Sequence, residues 1–265
     1  MKINAKALKP LRVIAAVVAF AMIAGLLLFA DSLLGNPVSY FIVKSNAKKY
    51  VAENHPGEGY VLESVNYSFK DGTYLAHFST PDVEYSHFSV NYDRTGKMRY
   101  DYYTRLITDG GNIRTELEME YRRLVDSALE RPDFPYDSDM AYGTLIFEGD
   151  SRYDFGIPNS ALAPDSTRDI TELGRQAGVL NIYILSDDLS AAHAAEVLLE
   201  IKEFTEGTGV PFHAVELTLE SSDGGYYNLS HILSDDIGGD GLVELVEENH
   251  RKTEEYYAEL DAKQK

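Results

Sequence analysis

The sequence predicts an α+β protein: an N-terminal transmembrane helix, then a helix packed on a four-stranded antiparallel meander, then a second, smaller α+β unit. Three observations predict it. Val13 to Ala30 is an uninterrupted apolar run, Asp71-Gly72 sits between two alternating stretches, and apolar residues at helical spacing recur before, between and after short strands.

The apolar run continues through Asp31-Ser32 to Leu33-Leu34 and breaks at Gly35-Asn36-Pro37. At 1.5 Å per residue, about 20 residues cross a hydrocarbon core of about 30 Å, so the run is long enough to span. Lys2, Lys6, Lys9 and Arg12 precede it with no acidic residue among them, which holds the N-terminus inside. Residues 1–12 are therefore expected as a cytoplasmic basic segment and 13–34 as the anchor, with the body extracytoplasmic. A cleaved secretory signal is the rival reading, but its apolar region is shorter, and cleavage after Ala30 would put Leu28 where a small residue is wanted. Cleavage would make the body secreted, on the same side of the membrane.

Residues 36–131 read as the first domain. From Ser39 to Asn54, Val43, Ala47, Tyr50 and Val51 mark one helix face, ended by His55-Pro56-Gly57. A two-residue turn at Asp71-Gly72 pairs Phe69 with Tyr74, Tyr67 with Ala76 and Val65 with Phe78. The face so formed continues through Phe88, Val90 and Tyr92 and, after a turn at Asp93 to Gly96, through Met98, Tyr100 and Tyr102. Four strands thus share one apolar side, which the preceding helix covers. A further helix, Asn112 to Leu129, carries Ile113, Leu117, Tyr121, Leu124 and Leu129, and Arg131-Pro132-Asp133-Phe134-Pro135 stops it and marks a boundary.

Residues 136–262 read as the second domain. MAYGTLIF and VLNIYIL are short strands separated by a polar stretch with a short helix near Asp169 to Gln176. Ser190 caps the helix AAHAAEVLLEIKEFTEG, ended at Gly207 and Gly209. FHAVELTLE and GYYNLSHIL follow as strands joined at Ser222 to Gly225, and a charged helix runs from Leu242 to about Leu260.

Charge narrows the partners. After Arg12, 20 basic residues stand against 43 acidic ones, so the body carries −23 and repels nucleic-acid phosphates and anionic headgroups. No nucleic-acid partner is expected. The expected partners are the lipid bilayer, through residues 13–34, and another envelope protein. With no cysteine there are no disulfides, no thiolate chemistry and no lipid-attachment cysteine.

Two clusters have metal-ligand chemistry. His77 and His87 lie opposite one another if their strands pair about residue 82, and Asp82 or Glu84 would complete a site; the plain alternative is a cross-strand polar pair. Asp236, Asp240 and Glu247 take positions 1, 5 and 12 of an EF-hand loop, with Gly241 at position 6, but Gly238 stands at position 3 and a strand precedes the loop. The bland reading there is a turn leading into a helix. No G-x-S-x-G, H-E-x-x-H, P-loop or G-x-G-x-x-G occurs, so no catalytic residue and no cofactor is expected. Tyr102, Tyr103, Tyr226 and Tyr227 could form an exposed aromatic patch.

The runs GNPVSYFIVKSNAKKYVAENHP, VNYSFKDGTYLAHFSTP, HFSVNYDRTGKMRYDYY and ENHRKTEEYYAELD resemble the YfjL-like proteins of Gram-positive bacteria, membrane-anchored proteins of unassigned function. The resemblance implies a surface-exposed, two-part α+β ectodomain and brings no catalytic residues. The helix-plus-meander is also similar in outline to cystatin-like and PepSY-type modules. The expected function is a non-catalytic extracytoplasmic binding or interaction module on a single-pass anchor, held near the bilayer close behind Pro37. Its alternatives are a calcium- or metal-dependent envelope protein using the loop 236–247, and an envelope hydrolase.

Overall fold

The computed structural model describes residues 5–81, 83, 85–136, 138, 140–163 and 166–263. The chain divides into two compact units, Met1–Asn112 and Ile113–Lys265.

The first unit begins with helix α1 (Ala5–Leu34), long and apolar enough to cross a membrane, its large apolar side chains from Val13 to Leu34 exposed. Gly35 turns the chain at φ +78°, and Asn36 caps α2 (Pro37–Asn54) by accepting the Val38 N–H at 2.8 Å. Strands β1 (Val61–Ser68), β2 (Thr73–Ser79), β3 (Phe88–Tyr92) and β4 (Met98–Asp101) form an antiparallel meander in that order. Val43 and Ala47 of α2 pack on Val65, Tyr74, Ala76, Phe78, Phe88, Val90 and Tyr92, as alternation requires.

Two details differ from the sequence reading. The β1–β2 turn is four residues long, Phe69 to Gly72, closed by Ser68 Oγ to Asp71 and by the Gly72 N–H to Ser68 O. The register therefore pairs Tyr67 with Tyr74 and Val65 with Ala76, and Phe69 is left 60% exposed in the turn. In β4 a bulge opposite Asn91 and Tyr92 sets Asp101 across from Val90, where it receives the Tyr50 hydroxyl. Met98 and Tyr100 are correspondingly exposed and do not extend the core.

The joint between α1 and this sheet is built from side chains. Arg94 Nη1 lies 2.6 Å from Asp31 Oδ2 and also reaches the Tyr67 hydroxyl, which donates to Ser32 O. Tyr74 Oη accepts the Asn36 N–H at 2.6 Å and donates to Asn36 O. Gly35 passes so close that a Cβ there would lie 2.7 Å from Tyr67 Cγ.

The second unit takes up α3 (Gly111–Leu129) from Ile113 on, β5 (Met140–Leu145), α4 (Ile170–Ala177), β6 (Gly178–Leu185), α5 (Ala191–Thr208), β7 (Ala214–Glu220), β8 (Tyr226–Leu233) and α6 (Leu242–Lys263). Its sheet has the order β5-β6-β7-β8, with β6 and β7 parallel across α5 and the other pairs antiparallel. The boundary expected at 131–136 is misplaced, because α3 packs on this sheet. Tyr121, fully buried, donates to Pro211 O at 2.9 Å, and a Cβ on Gly143 or Gly178 would collide with Val125 or Tyr121. The second unit, expected as the smaller, is the larger one.

Alternation gives the second sheet two faces. Leu180, Ile182, Ile184, Leu217 and Leu219 are buried, as are Ala194, Val197, Leu198 and Ile201 of α5. The opposite face carries Tyr142, Thr144, Asn181, Tyr183, Glu216 and Thr218.

Candidate functional site

The residues singled out in sequence do not assemble into a metal centre. Strands β2 and β3 pair His77 with Ser89, two residues from the register that would set it against His87. The Ser89 hydroxyl lies 2.9 Å from His77 Nδ1, and burial, with His87 nearby, outweighs Glu63 in lowering the His77 pKa. His87 precedes β3, exposed, and its carbonyl accepts from Asn112. Asp82 and Glu84 lie outside the described residues.

In the acidic loop, Asp236, Asp240 and Glu247 are all exposed, and Glu247 lies within α6. Lys202 Nζ reaches into the preceding turn, 2.8 Å from Ser234 O and 2.7 Å from Ile237 O, so an ammonium occupies that turn. Among the described residues no group of three or more histidine or acidic side chains could hold a metal. Of the four tyrosines expected as a patch, Tyr227 is buried in a 3.8 Å stack on His250, and Tyr103 donates to Glu58.

A different constellation forms on the open face of the second sheet, in a cleft of about 700 Å³ bordered by the 151–153 turn and α6. At its centre is Glu216 of β7. Tyr153 donates its hydroxyl to Glu216 Oε1 at 2.9 Å, and His231 Nε2 lies 3.0 Å from the same oxygen. The Tyr153 and His231 ring centroids lie 4.2 Å apart with the planes tilted by 47°, and the Arg152 guanidinium lies 5.1 Å over the Tyr153 ring.

The backbone explains how His231 gets there. Val215 pairs with Ile232 and Leu217 with Leu229, so Ser230 and His231 both stand opposite Glu216 in a bulge, with His231 at φ +56°. A side chain held in the left-handed region without a glycine costs about 1 kcal/mol, a strain that persists only where its surroundings enforce it. Asn249 of α6 enforces it here, donating to Ser230 O at 2.7 Å and accepting the Ser230 N–H at 2.9 Å.

Burial alone would raise the Glu216 pKa. The hydrogen bonds from His231 and Tyr153, with Arg152, outweigh it and hold the carboxyl below the usual carboxylate range. Tyr153, by burial and beside that carboxylate, is pushed above the ordinary phenol range. Glu216 is thus a fixed anion whose Oε1 is engaged, leaving Oε2 as acceptor for a hydroxyl or ammonium. Tyr183, Tyr256 and Tyr257 offer exposed rings along the cleft, and Asn181, Asn228, Thr218 and Lys252 line it with further polar groups. Ser151 and Ser230 line it as well.

Sequence reasoning missed this site. Glu216 and Thr218 were readable as the polar positions of an alternating strand. Nothing in the pattern of β8 showed that Ser230 and His231 would face the same neighbour.

The family described as YfjL-like, N-terminal domain, matches residues 10–102, and the YfjL-like C-terminal domain matches residues 120–247. The first match takes in the apolar helix, and the second opens inside α3, on the side of the boundary where α3 packs. No curated protein and no solved structure matches the chain. The chain belongs to the YfjL-like family.

Proposed function

For this member of the YfjL-like family we propose a single-pass membrane protein whose extracytoplasmic second unit binds a small polar ligand in the Glu216 cleft, without catalysis. The cleft carries the reading. It combines an oriented carboxylate, amide and hydroxyl groups and exposed tyrosine rings on an otherwise rigid sheet, the composition of a site that fixes a small polar molecule by a few hydrogen bonds and stacking. Length and apolarity of α1 and the basic residues before its apolar run support the anchor and its sidedness. The helix-on-meander of the first unit, similar in outline to extracytoplasmic binding modules of cystatin and PepSY type, supports the placement by analogy of fold. A partner protein in the envelope would then sense the occupied state.

Two experiments test this. The chain has no cysteine, so a single cysteine at Ser222 of intact cells reports sidedness: labelling by a membrane-impermeant maleimide is expected, and labelling only after lysis refutes the placement. Thermal melting of residues 36–265 against monosaccharides, amino acids and small amines tests the cleft. At least one class is expected to raise the midpoint in the native chain and not in Glu216→Gln, since a ligand that binds only the folded state must stabilise it. A panel shifting both proteins equally sinks the cleft as the site.

A further inference from the structure

One end of the first unit differs in character from the rest of this acidic chain. The β1–β2 and β3–β4 turns lie at the end of the meander where Tyr67, Tyr74 and Arg94 grip Gly35, Asn36 and Asp31, so both turns sit beside the point where α1 ends. That end displays Phe41 and Phe69, 67% and 60% exposed. It also carries Lys70 and Lys97, exposed and in no ion pair with a described carboxylate. Its acidic groups are engaged: Asp31 with Arg94, Asp93 with Arg99 at 3.2 Å, Asp71 with Ser68.

We propose that this end of the first unit docks on the headgroup layer of an anionic phospholipid bilayer, with Phe41 and Phe69 among the headgroups and Lys70 and Lys97 against lipid phosphates. The inference rests on the anchor reading and adds a second, peripheral contact to it. Two things select lipid as the occupant. The surface is continuous with the apolar helix, whose last turn exposes Leu34 and is bonded to the sheet at this end, and aromatic rings flanked by lysines match the apolar-then-phosphate layering of an interface. Each lysine near an anionic surface strengthens attachment about fivefold. The acidic remainder of the body is repelled by the same surface, so the contact is confined to this end.

The chain contains no tryptophan, so one introduced indole is the sole reporter. Phe20→Trp in α1 and Phe69→Trp at the turn replace exposed rings, and neither disturbs the core. The full chain is placed in nanodiscs of phosphatidylglycerol or phosphatidylcholine with brominated acyl chains. Phe20→Trp is expected to be quenched in both. Phe69→Trp is expected to be blue-shifted and quenched in phosphatidylglycerol and quenched less in phosphatidylcholine, and adding Lys70→Glu and Lys97→Glu is expected to remove that difference. If Phe20→Trp is quenched while Phe69→Trp emits as in water, the docking is overturned and the anchor stands. Equal quenching of Phe69→Trp in both lipids overturns the anionic assignment. An unquenched Phe20→Trp overturns the anchor and the docking together.

Discussion

Tyr121 gives the sharpest test of the division into units. Its ring is fully buried against Gly143, Gly174 and Gly178, and its hydroxyl donates to Pro211 O at 2.9 Å. Tyr121→Phe keeps the ring and deletes the donor, leaving a carbonyl without that partner, at a cost of about 1–2 kcal/mol. Tyr121→Ala also opens a cavity and costs about 3–5 kcal/mol. For a unit of this size about 1 kcal/mol moves the melting midpoint by about 2–4 °C, so Tyr121→Phe should lower it by about 2–8 °C. The assay is hydrogen exchange of residues 36–265, followed by mass spectrometry of peptides from β6 and from β2. Protection should fall in β6 and remain unchanged in β2, because α3 is part of the second unit. A loss confined to β2, or no loss with Tyr121→Phe, would refute the assignment of α3 and the role of its hydroxyl.

Buried tyrosines should make the fold sensitive to alkali. Burial first, then carboxylate neighbours, raises Tyr50, Tyr103 and Tyr153, burial alone raises Tyr121, and Tyr92 is pushed up to about 12. Groups whose folded pKa is raised contribute stability that is present below the unfolded value near 10 and lost as pH climbs beyond it, so urea midpoints should drop above about pH 10 and hold between 7 and 9. Glu216 runs the other way: its folded pKa is depressed, so its contribution is present above the unfolded value and lost as pH falls below about 4.3, and Glu216→Gln should flatten that acid loss; an unchanged slope would remove the Glu216 network from the account. At the bulge, His231→Gly and His231→Ala lose the same imidazole, but only glycine sits at φ +56° without strain. The glycine variant should be more stable by about 1 kcal/mol in chemical denaturation, and an alanine variant of equal stability would show that the strain is absent.

Strands and helices were largely legible because alternation and helical spacing report burial directly, and Val43, Ala47, Phe78, Phe88 and Val90 are all core residues as read. The β1–β2 register was not. Shifting it by two residues leaves every side chain on the same face, so the hydrophobic pattern cannot distinguish the alternatives. The contact of Tyr67 and Tyr74 over Gly35, between residues more than thirty positions apart, decides it. Likewise the stripe Ile113, Leu117 and Tyr121 announces a helix that covers something without saying which sheet. Gly143, Gly174 and Gly178, which admit the Tyr121 ring, read in sequence as mere punctuation. The cleft was half legible: Glu216 and Thr218 stand out as polar positions of β7, while His231 depends on a bulge that breaks the period on which the reading relied.

The joint at Gly35 and Asn36 also has a mechanical meaning. Most tethered domains hang from a loose linker and sample many orientations. Here two hydroxyls and a guanidinium clamp the helix end to the sheet across a single glycine. Set in a bilayer, α1 can meet a thinner hydrocarbon layer by tilting, and the meander would then turn with it as the arm of a lever turns with its axle. If α1 is the anchor we propose, membrane thickness would thereby become a coordinate of how the first unit is presented, one that Arg94→Ala would uncouple.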